Sequence, residues 1–274
     1  MNASADTPQD RAVARAIPPE QLKEMLDAHR QWAKTDGKDG RKADLSGANL
    51  SRADLLRADL RNADLREATL SGARLQEADL RGTNLQRARL QQVNLRNADL
   101  QNADLDGAGL QNAILQGAQL QNATLAPVDL ELANLSRANL SGADLSRSNL
   151  HGVNLREATL SGAVLYRVRL NEANILKANF QGADMRGCDL RDSDLTGVNL
   201  QKANLQGAKL QNADLVQTNL RETNLRNAKL QKVDFYKAEF QDVDLRGADL
   251  RDAVGFTRRH LEMAKTDEKT KIRD

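Results

Sequence analysis

Aromatic residues make up only 3% of this 274-residue chain, although 40% of it is hydrophobic. A core of interlocking rings is therefore excluded, and whatever core exists must be assembled from Leu and Ala. A single cysteine, Cys188, rules out an intrachain disulfide and fits a reducing compartment. Three histidines, His29, His151 and His260, are too few and too scattered to suggest a triad or a metal centre. Neither charge dominates. The balance of 40 Lys and Arg against 38 Asp and Glu leaves a formal charge of +2, not the excess expected of a nucleic-acid-binding domain or an acidic tail. No apolar run approaches the roughly 18 residues of a membrane span. Residues Met1 to Ala16 carry Asp6, Asp10, Arg11 and Arg15 in place of a signal peptide's apolar stretch. The expectation is a cytoplasmic protein with no membrane partner.

What the sequence has in quantity is a repeat. Every fifth residue from Leu45 to Leu250 is large and apolar, being Leu except at Ile175, Phe180, Met185, Phe235 and Phe240. Two residues before each stands a small residue, as at Ala43, Ala48, Ala53 and Ala58, with exceptions such as Thr83, Val93, Ser148 and Cys188. The unit reads small, polar, large apolar, polar, polar, with Asp or Asn favoured in second place.

A period of five excludes both ordinary secondary structures. In an α-helix, five steps turn the chain by about 500°, so the Leu stripe drifts about 140° per repeat and forms no face. In a straight strand, successive Leu point to opposite sides. The small residue and the Leu can share one side of a short extended segment if the next two residues turn the chain. Gly47, Gly72, Gly82, Gly117 and Gly142 suit the second turn place because glycine accepts left-handed backbone angles. Repeating segment and corner wraps the chain into coils with Leu and Ala inside, and stacked coils supply each other's backbone partners. This predicts an all-β solenoid. Pro127 falls at a corner, where no ladder donor is expected.

The pattern Ala43-Asp44-Leu45-Ser46-Gly47, repeated over about three quarters of the chain, resembles the A(D/N)LXX signature of the pentapeptide-repeat family. The resemblance implies a right-handed quadrilateral parallel β-helix with four units per coil, hence about ten coils in a rod roughly 50 Å long. A 20-residue turn also suggests side-chain ladders pairing Gln101 with Gln121 and Gln181 with Gln201.

Solenoid ends need covers. Glu20 to Lys34 follows two prolines and places Leu22, Met25, Leu26, His29 and Trp32 at helical spacing, which predicts a helix over the first coil. At the other end the register fails at Gly255, and Thr257 opens a short helix that turns Leu261, Met263 and Ala264 toward the last coil. The division is an unstructured segment 1–16, an N-terminal helical cap and turn 17–40, the repeat region 41–252, and a C-terminal cap and polar tail 253–274. Monomer and homodimer both remain open.

No catalytic, cofactor-binding or metal-binding residue is assigned, and the chain is not expected to be an enzyme. The many Asp recur with the repeat instead of forming a unique constellation. Cys188, at an inward place, reads as a buried inert thiol, and His29 as packing against the first coil. A functional His151 would pair with Glu131 and Asn171; the simpler reading is a solvated ladder position. Function is then expected to be a non-enzymatic interaction or scaffold role, with rigid polar faces presented to another protein. The resemblance supplies an alternative, because some members of the family mimic DNA and bind and protect gyrase. Residues 41–250 carry 27 basic and 26 acidic side chains, a net of +1, which is unlike a phosphate field. The early cluster Arg52, Arg57, Arg61 and Arg66 raises direct nucleic-acid binding as a third class, opposed by intervening acids and the scarcity of stacking aromatics.

Overall fold

The destination of five backbone N–H groups in one repeat accounts for most of the architecture. In Asp64-Leu65-Arg66-Glu67-Ala68 of the computed structural model, which describes residues 15–272, Asp64 N–H donates to the Ala43 carbonyl one coil back at 3.0 Å. Leu65 and Glu67 donate forward to the Asn84 and Gln86 carbonyls at 2.8 and 2.9 Å. Ala68 N–H closes a tight turn on the Leu65 carbonyl at 3.1 Å, and Arg66 N–H is taken by Asp64 Oδ1 at 3.1 Å. No donor of the unit is left over, as a chain with buried backbone requires. The same pattern recurs through most of the repeats, with parallel bridges joining residues 20 apart, such as Asp44 to Asp64 and Asp64 to Asn84. It opens between Asn174 and Asp194, where no bridge forms and the Ile175 and Lys177 N–H groups make no ladder bond among the described residues. Twenty residues is four units, so each coil has four sides.

The preference for Asp or Asn in second place follows from that fourth bond. A short side-chain oxygen reaches the N–H two residues on and stands in for a backbone acceptor at the corner. Where Ile114 or Val164 occupies the place, that acceptor is missing. The second corner residue is left-handed at every unit from Gly47 to Asp252 except Pro127. Most of these residues are not glycine; Leu132 has φ 57° and Arg147 has φ 61°. Each such residue costs about 1–2 kcal/mol in isolation, which the ladder bonds on either side must offset.

The expectation that a corner need not donate to the ladder is corrected here: corner residues such as Glu67 do donate. Pro127 cannot, and the chain adjusts around it. Gly107 N–H donates to the Pro127 carbonyl at 2.9 Å, and the turn bond expected from Val128 to Leu125 is replaced by a hydroxyl. Ser148 Oγ accepts Val128 N–H at 3.0 Å and donates to the Leu125 carbonyl at 2.7 Å.

Inside, the large and small positions of the repeat form one continuous buried core from Ala43 to Leu250. Hydroxyls and the thiol at small positions are tolerated because the turn carbonyl of the preceding coil has a second lone pair. Thr83, Thr218 and Thr223 donate to the carbonyls of Leu60, Leu195 and Leu200 at 2.7, 2.9 and 2.7 Å. Cys188 Sγ does the same to Leu165 at 2.9 Å.

Residues 1–14, most of the segment expected to be unstructured, lie outside the described residues. Its last two residues differ from that expectation: β1 (Arg15–Ala16) pairs in parallel with β2 (Ala48–Asn49), because the first coil exposes an edge that a passing chain can satisfy. Helix α1 (Pro19–Lys34) begins with a proline in its first turn and packs Leu22, Met25 and Leu26 against the core. His29 is fully buried, its Nδ1 accepting Ala43 N–H at 3.0 Å, so a side chain serves the first coil where a preceding turn carbonyl serves the others. Gly40, at φ 82°, allows the chain to pass so close to the helix that a Cβ would sit 2.3 Å from the Ala28 carbonyl.

Helix α2 (Arg258–Met263) follows the loss of register at Gly255. Phe256, Met263 and Ala264 pack against the core, whereas Leu261, expected to do so, is not among the packed residues. His260 takes that place, its ring stacked on Phe240 with centroids 4.6 Å apart and its Nδ1 accepting Thr257 N–H at 3.1 Å. The polar tail is part of the ladder. Lys265 and Lys271 donate to the Val243 and Ala248 carbonyls and accept from Leu245 and Leu250 at 2.7–2.9 Å. No helix among the described residues is long and apolar enough to cross a membrane.

Candidate interaction surfaces

Because the core consumes the inward positions, everything available to a partner comes from the polar places, which the 20-residue coil arranges in columns. Short charged motifs within one unit dominate them. Where Asp in second place is followed two residues later by Arg, the guanidinium folds back in a two-pronged grip. Arg61 Nε and Nη2 lie 2.9 and 2.7 Å from the two carboxylate oxygens of Asp59. Arg81 with Asp79, Arg186 with Asp184, Arg246 with Asp244 and Arg251 with Asp249 repeat the geometry. The Arg251 bond, with its opposing burial outweighed, holds the Asp249 carboxyl down at about 2. Arg186 and Arg246 likewise hold Asp184 and Asp244 below the usual carboxylate range. Bidentate pairs of this kind fix side-chain direction more than they add stability.

Columns also link coils. Arg57 reaches Glu77 at 2.7 Å, Arg137 reaches Glu157 at 2.9 Å, and Arg74 reaches Asp54 at 3.0 Å, each 20 residues away. Amide ladders form on Asn, at Asn179 with Asn199 and Asn204 with Asn224, 3.0 and 2.9 Å. The Gln ladders expected from the sequence are not formed: Gln101 and Gln121 bond Asp99 and Gln119 within their own units, and Gln181 and Gln201 share no side-chain bond among the described residues. Where glutamines do link coils they reach Asp instead of Gln, at Gln86 with Asp104, Gln111 with Asp129 and Gln231 with Asp249.

Of the early basic cluster, Arg57, Arg61 and Arg66 are all engaged with carboxylates. A different corner is left positive. Arg147 and Arg167 sit at one corner in successive coils, with Arg147 N–H donating to the Tyr166 carbonyl at 2.8 Å. The Arg167 and Arg186 guanidiniums lie 5.1 and 5.6 Å from the centre of the Tyr166 ring. Arg147, Arg167 and nearby Arg169 have no ion pair among the described residues. Sequence reading missed this corner because Arg147 lies 20 residues from Arg167 and only the coil brings it beside the Arg167 and Arg169 pair. Exposed apolar side chains are scattered, at Leu56, Ile114, Leu132, Tyr236 and Val254.

His29, His151 and Cys188 are not brought together, though His151 meets Asn171 as the 20-residue spacing predicts. His29 Nε2 is buried without a hydrogen-bond partner among the described residues, and burial lowers the ring's pKa. His151 Nδ1 meets the Asn171 side-chain amide at 2.8 Å, and its Nε2 lies 3.8 Å from Glu172; Glu131 contacts Asn149 instead. Burial pushes the Cys188 thiol up to about 12, where it is neither nucleophile nor ligand at neutral pH. No group of three His, Cys, Asp or Glu among the described residues is placed to hold a metal ion.

The family model for pentapeptide repeats matches in 8 copies, at residues 43–82, 73–112, 113–152, 148–187, 177–212, 188–227 and 213–252. Comparison with curated proteins finds no match. Among solved structures, the chain is similar to HetL, a pentapeptide repeat protein involved in heterocyst differentiation regulation from the cyanobacterium Nostoc sp. strain PCC 7120. Identity is 29%, covering 85% of this chain and 97% of that one, with a TM-score of 0.40. It is also similar to QnrB1, a plasmid-mediated fluoroquinolone resistance protein, at 16% identity over 78% of this chain and 87% of that one, TM-score 0.27. A third is the pentapeptide repeat protein Rfr23 from the cyanobacterium Cyanothece 51142, at 22% identity over 58% and 91%, TM-score 0.21.

Proposed function

The chain belongs to the pentapeptide-repeat family, and from that premise we propose that it is a non-enzymatic interaction protein: a right-handed quadrilateral β-helix, closed by a helical cap at each end, whose rigid polar faces bind another protein. The observation that carries this reading is the pre-fixing of outward side chains. Asp and Asn are held by the N–H two residues on, and Arg by Asp of the same unit, as in Asp59 and Arg61. A surface ordered before contact loses less conformational entropy on binding. The unpaired corner at Arg147, Arg167 and Arg169 is the part most in need of an acidic partner surface, since like charges held in successive coils repel until a counter-charge arrives.

The topoisomerase-binding alternative calls for a dense acidic field. The self-neutralising Asp–Arg pairs and the net of +1 over residues 41–250 weigh against it. In this reading the protein is cytoplasmic.

The test is cross-linking capture with the full chain, run beside the variant R147E/R167E/R169E and a control, R96E/R156E, on another side. A partner recovered by the parent and the control and lost at least tenfold by the triple variant supports the reading. Equal recovery by all three, or turnover of a small molecule by the purified chain, contradicts it.

A further inference from the structure

The first coil has an edge with no coil before it, and its four sides are not covered alike. In later coils the second-place residue directs both its N–H and its C=O at the preceding coil, as Arg74 N–H does to the Ala53 carbonyl at 2.9 Å. The equivalent groups of the first coil point past the end of the rod. At Asp44 the carbonyl accepts Arg15 Nη2 at 3.1 Å, and at Asn49 the edge is paired with Ala16 of β1. At Asp59 the N–H and C=O have no hydrogen-bond partner among the described residues, but Ala58 beside them is buried. On the side between them, Asp54 N–H, Asp54 C=O and Leu56 C=O have no hydrogen-bond partner among the described residues.

Above this stretch lies a groove of about 670 Å³ between the edge and α1, lined by Ile17, Leu22, Leu26, Leu50 and Ala53 with Asp54 at its rim. Ala53 is only partly buried, while its counterparts Ala43, Ala48 and Ala58 on the other sides are buried. Beside it Leu56 is 43% exposed. A strand position is therefore vacant, with its backbone partners and its apolar floor both in place.

We propose that the Asp54–Leu56 edge takes an extended segment of a partner protein as an added parallel strand. Strand addition to a free edge draws affinity from main-chain bonds and specificity from alternate side chains. Parallel direction follows from β1, which covers the adjacent side of the same edge in that way. The register sets the side chains. A segment one coil before Ala53 and Leu55 turns a small residue and, two positions on, a large apolar residue into the groove, with the N–H of the latter on the Asp54 carbonyl. A second copy is not the occupant, because α1 lies across the end of the first coil and keeps another rod's terminal coil from approaching to the roughly 4.8 Å of strand spacing. A single segment meets no such obstacle. The site shares no residue with the Arg147 corner, so either reading can fail alone.

The probe is a fluorescent peptide matching residues 132–137, Leu-Ala-Asn-Leu-Ser-Arg, compared with the same peptide N-methylated at the residue matching Leu135. Saturable binding to the full chain by fluorescence anisotropy, weakened at least tenfold by N-methylation and abolished by A53R, is the expected result. Amide shifts should centre on Asp54 and Leu56. Absence of saturable binding up to millimolar peptide, equal affinity of the two peptides, or shifts elsewhere would overturn the proposal, as would concentration-dependent self-association of the parent that A53R removes. Should A53R fail to fold, the two peptides on the parent chain decide the matter.

Discussion

His29 Nδ1 accepts the backbone N–H of Ala43 at 3.0 Å, so that a histidine in α1 supplies the acceptor with which the first coil begins. A neutral ring is required, since a protonated one has no lone pair to offer. Burial depresses the folded-state pKa below 6.5, the Asp59 charge opposing.

The pH dependence follows from that sign. Because the unfolded state binds the proton more readily, the contribution is complete above about pH 6.5 and is lost as pH falls toward the depressed folded value. His260, lowered by burial and then by Arg259, acts in the same direction at the other end. Thermal unfolding between pH 5 and 8 should therefore show Tm falling on acidification, with a shallower slope in H29F. H29A should cost about 2–4 kcal/mol at pH 8 through the cavity and the stranded Ala43 N–H.

Ser148 should matter because of Pro127. S148A leaves Val128 N–H without its acceptor and should cost about 1–3 kcal/mol in denaturant unfolding. In a P127G background the ordinary Val128-to-Leu125 turn bond can form, so S148A should cost less there. A double-mutant cycle reads the coupling; additive costs would contradict the account.

Adjacent residues in mid-rod test the assignment of inside and outside. Leu150 is buried and His151 is half-exposed. L150D should destabilise by more than about 4 kcal/mol, since it buries a carboxylate without a partner, while H151D should stay within about 1 kcal/mol. Circular dichroism melts of the two proteins make the comparison.

Removing residues 256–274 deletes Phe256, His260 and the Lys265 and Lys271 ladder bonds together. Phe235, Phe240 and the Leu245 and Leu250 edge are then uncovered. Light scattering should find the truncated chain self-associating at concentrations where the intact chain does not change with dilution.

Much of this was legible because the repeat is strict. Period five alone sends Leu and Ala inward, and proline-led apolar spacing locates α1 to within a residue of Pro19. The reason for Asp and Asn was present in the sequence as their position two before a corner N–H, but composition reads them first as charge. Pro127 and Ser148, Arg147 and Arg167, and Lys265 and Val243 meet only through the coil, at separations of 20 residues or so that local patterning does not encode. Helical spacing favoured Leu261, yet it is the ring of His260 that stacks on Phe240.

The central claim is that a backbone ladder, interrupted at Pro127 and between Asn174 and Asp194, fixes the outward side chains, and residue-resolved amide hydrogen exchange tests it most directly. The account predicts a five-residue rhythm along the rod: strong protection at ladder donors such as Asp64, Leu65 and Glu67, and faster exchange at Arg66, whose N–H is held only by the Asp64 side chain. Protection at Leu65 and Glu67 no greater than at Arg66, or fast exchange in a mid-rod stretch away from Pro127 and from residues 172–177 and 191–196, would contradict it.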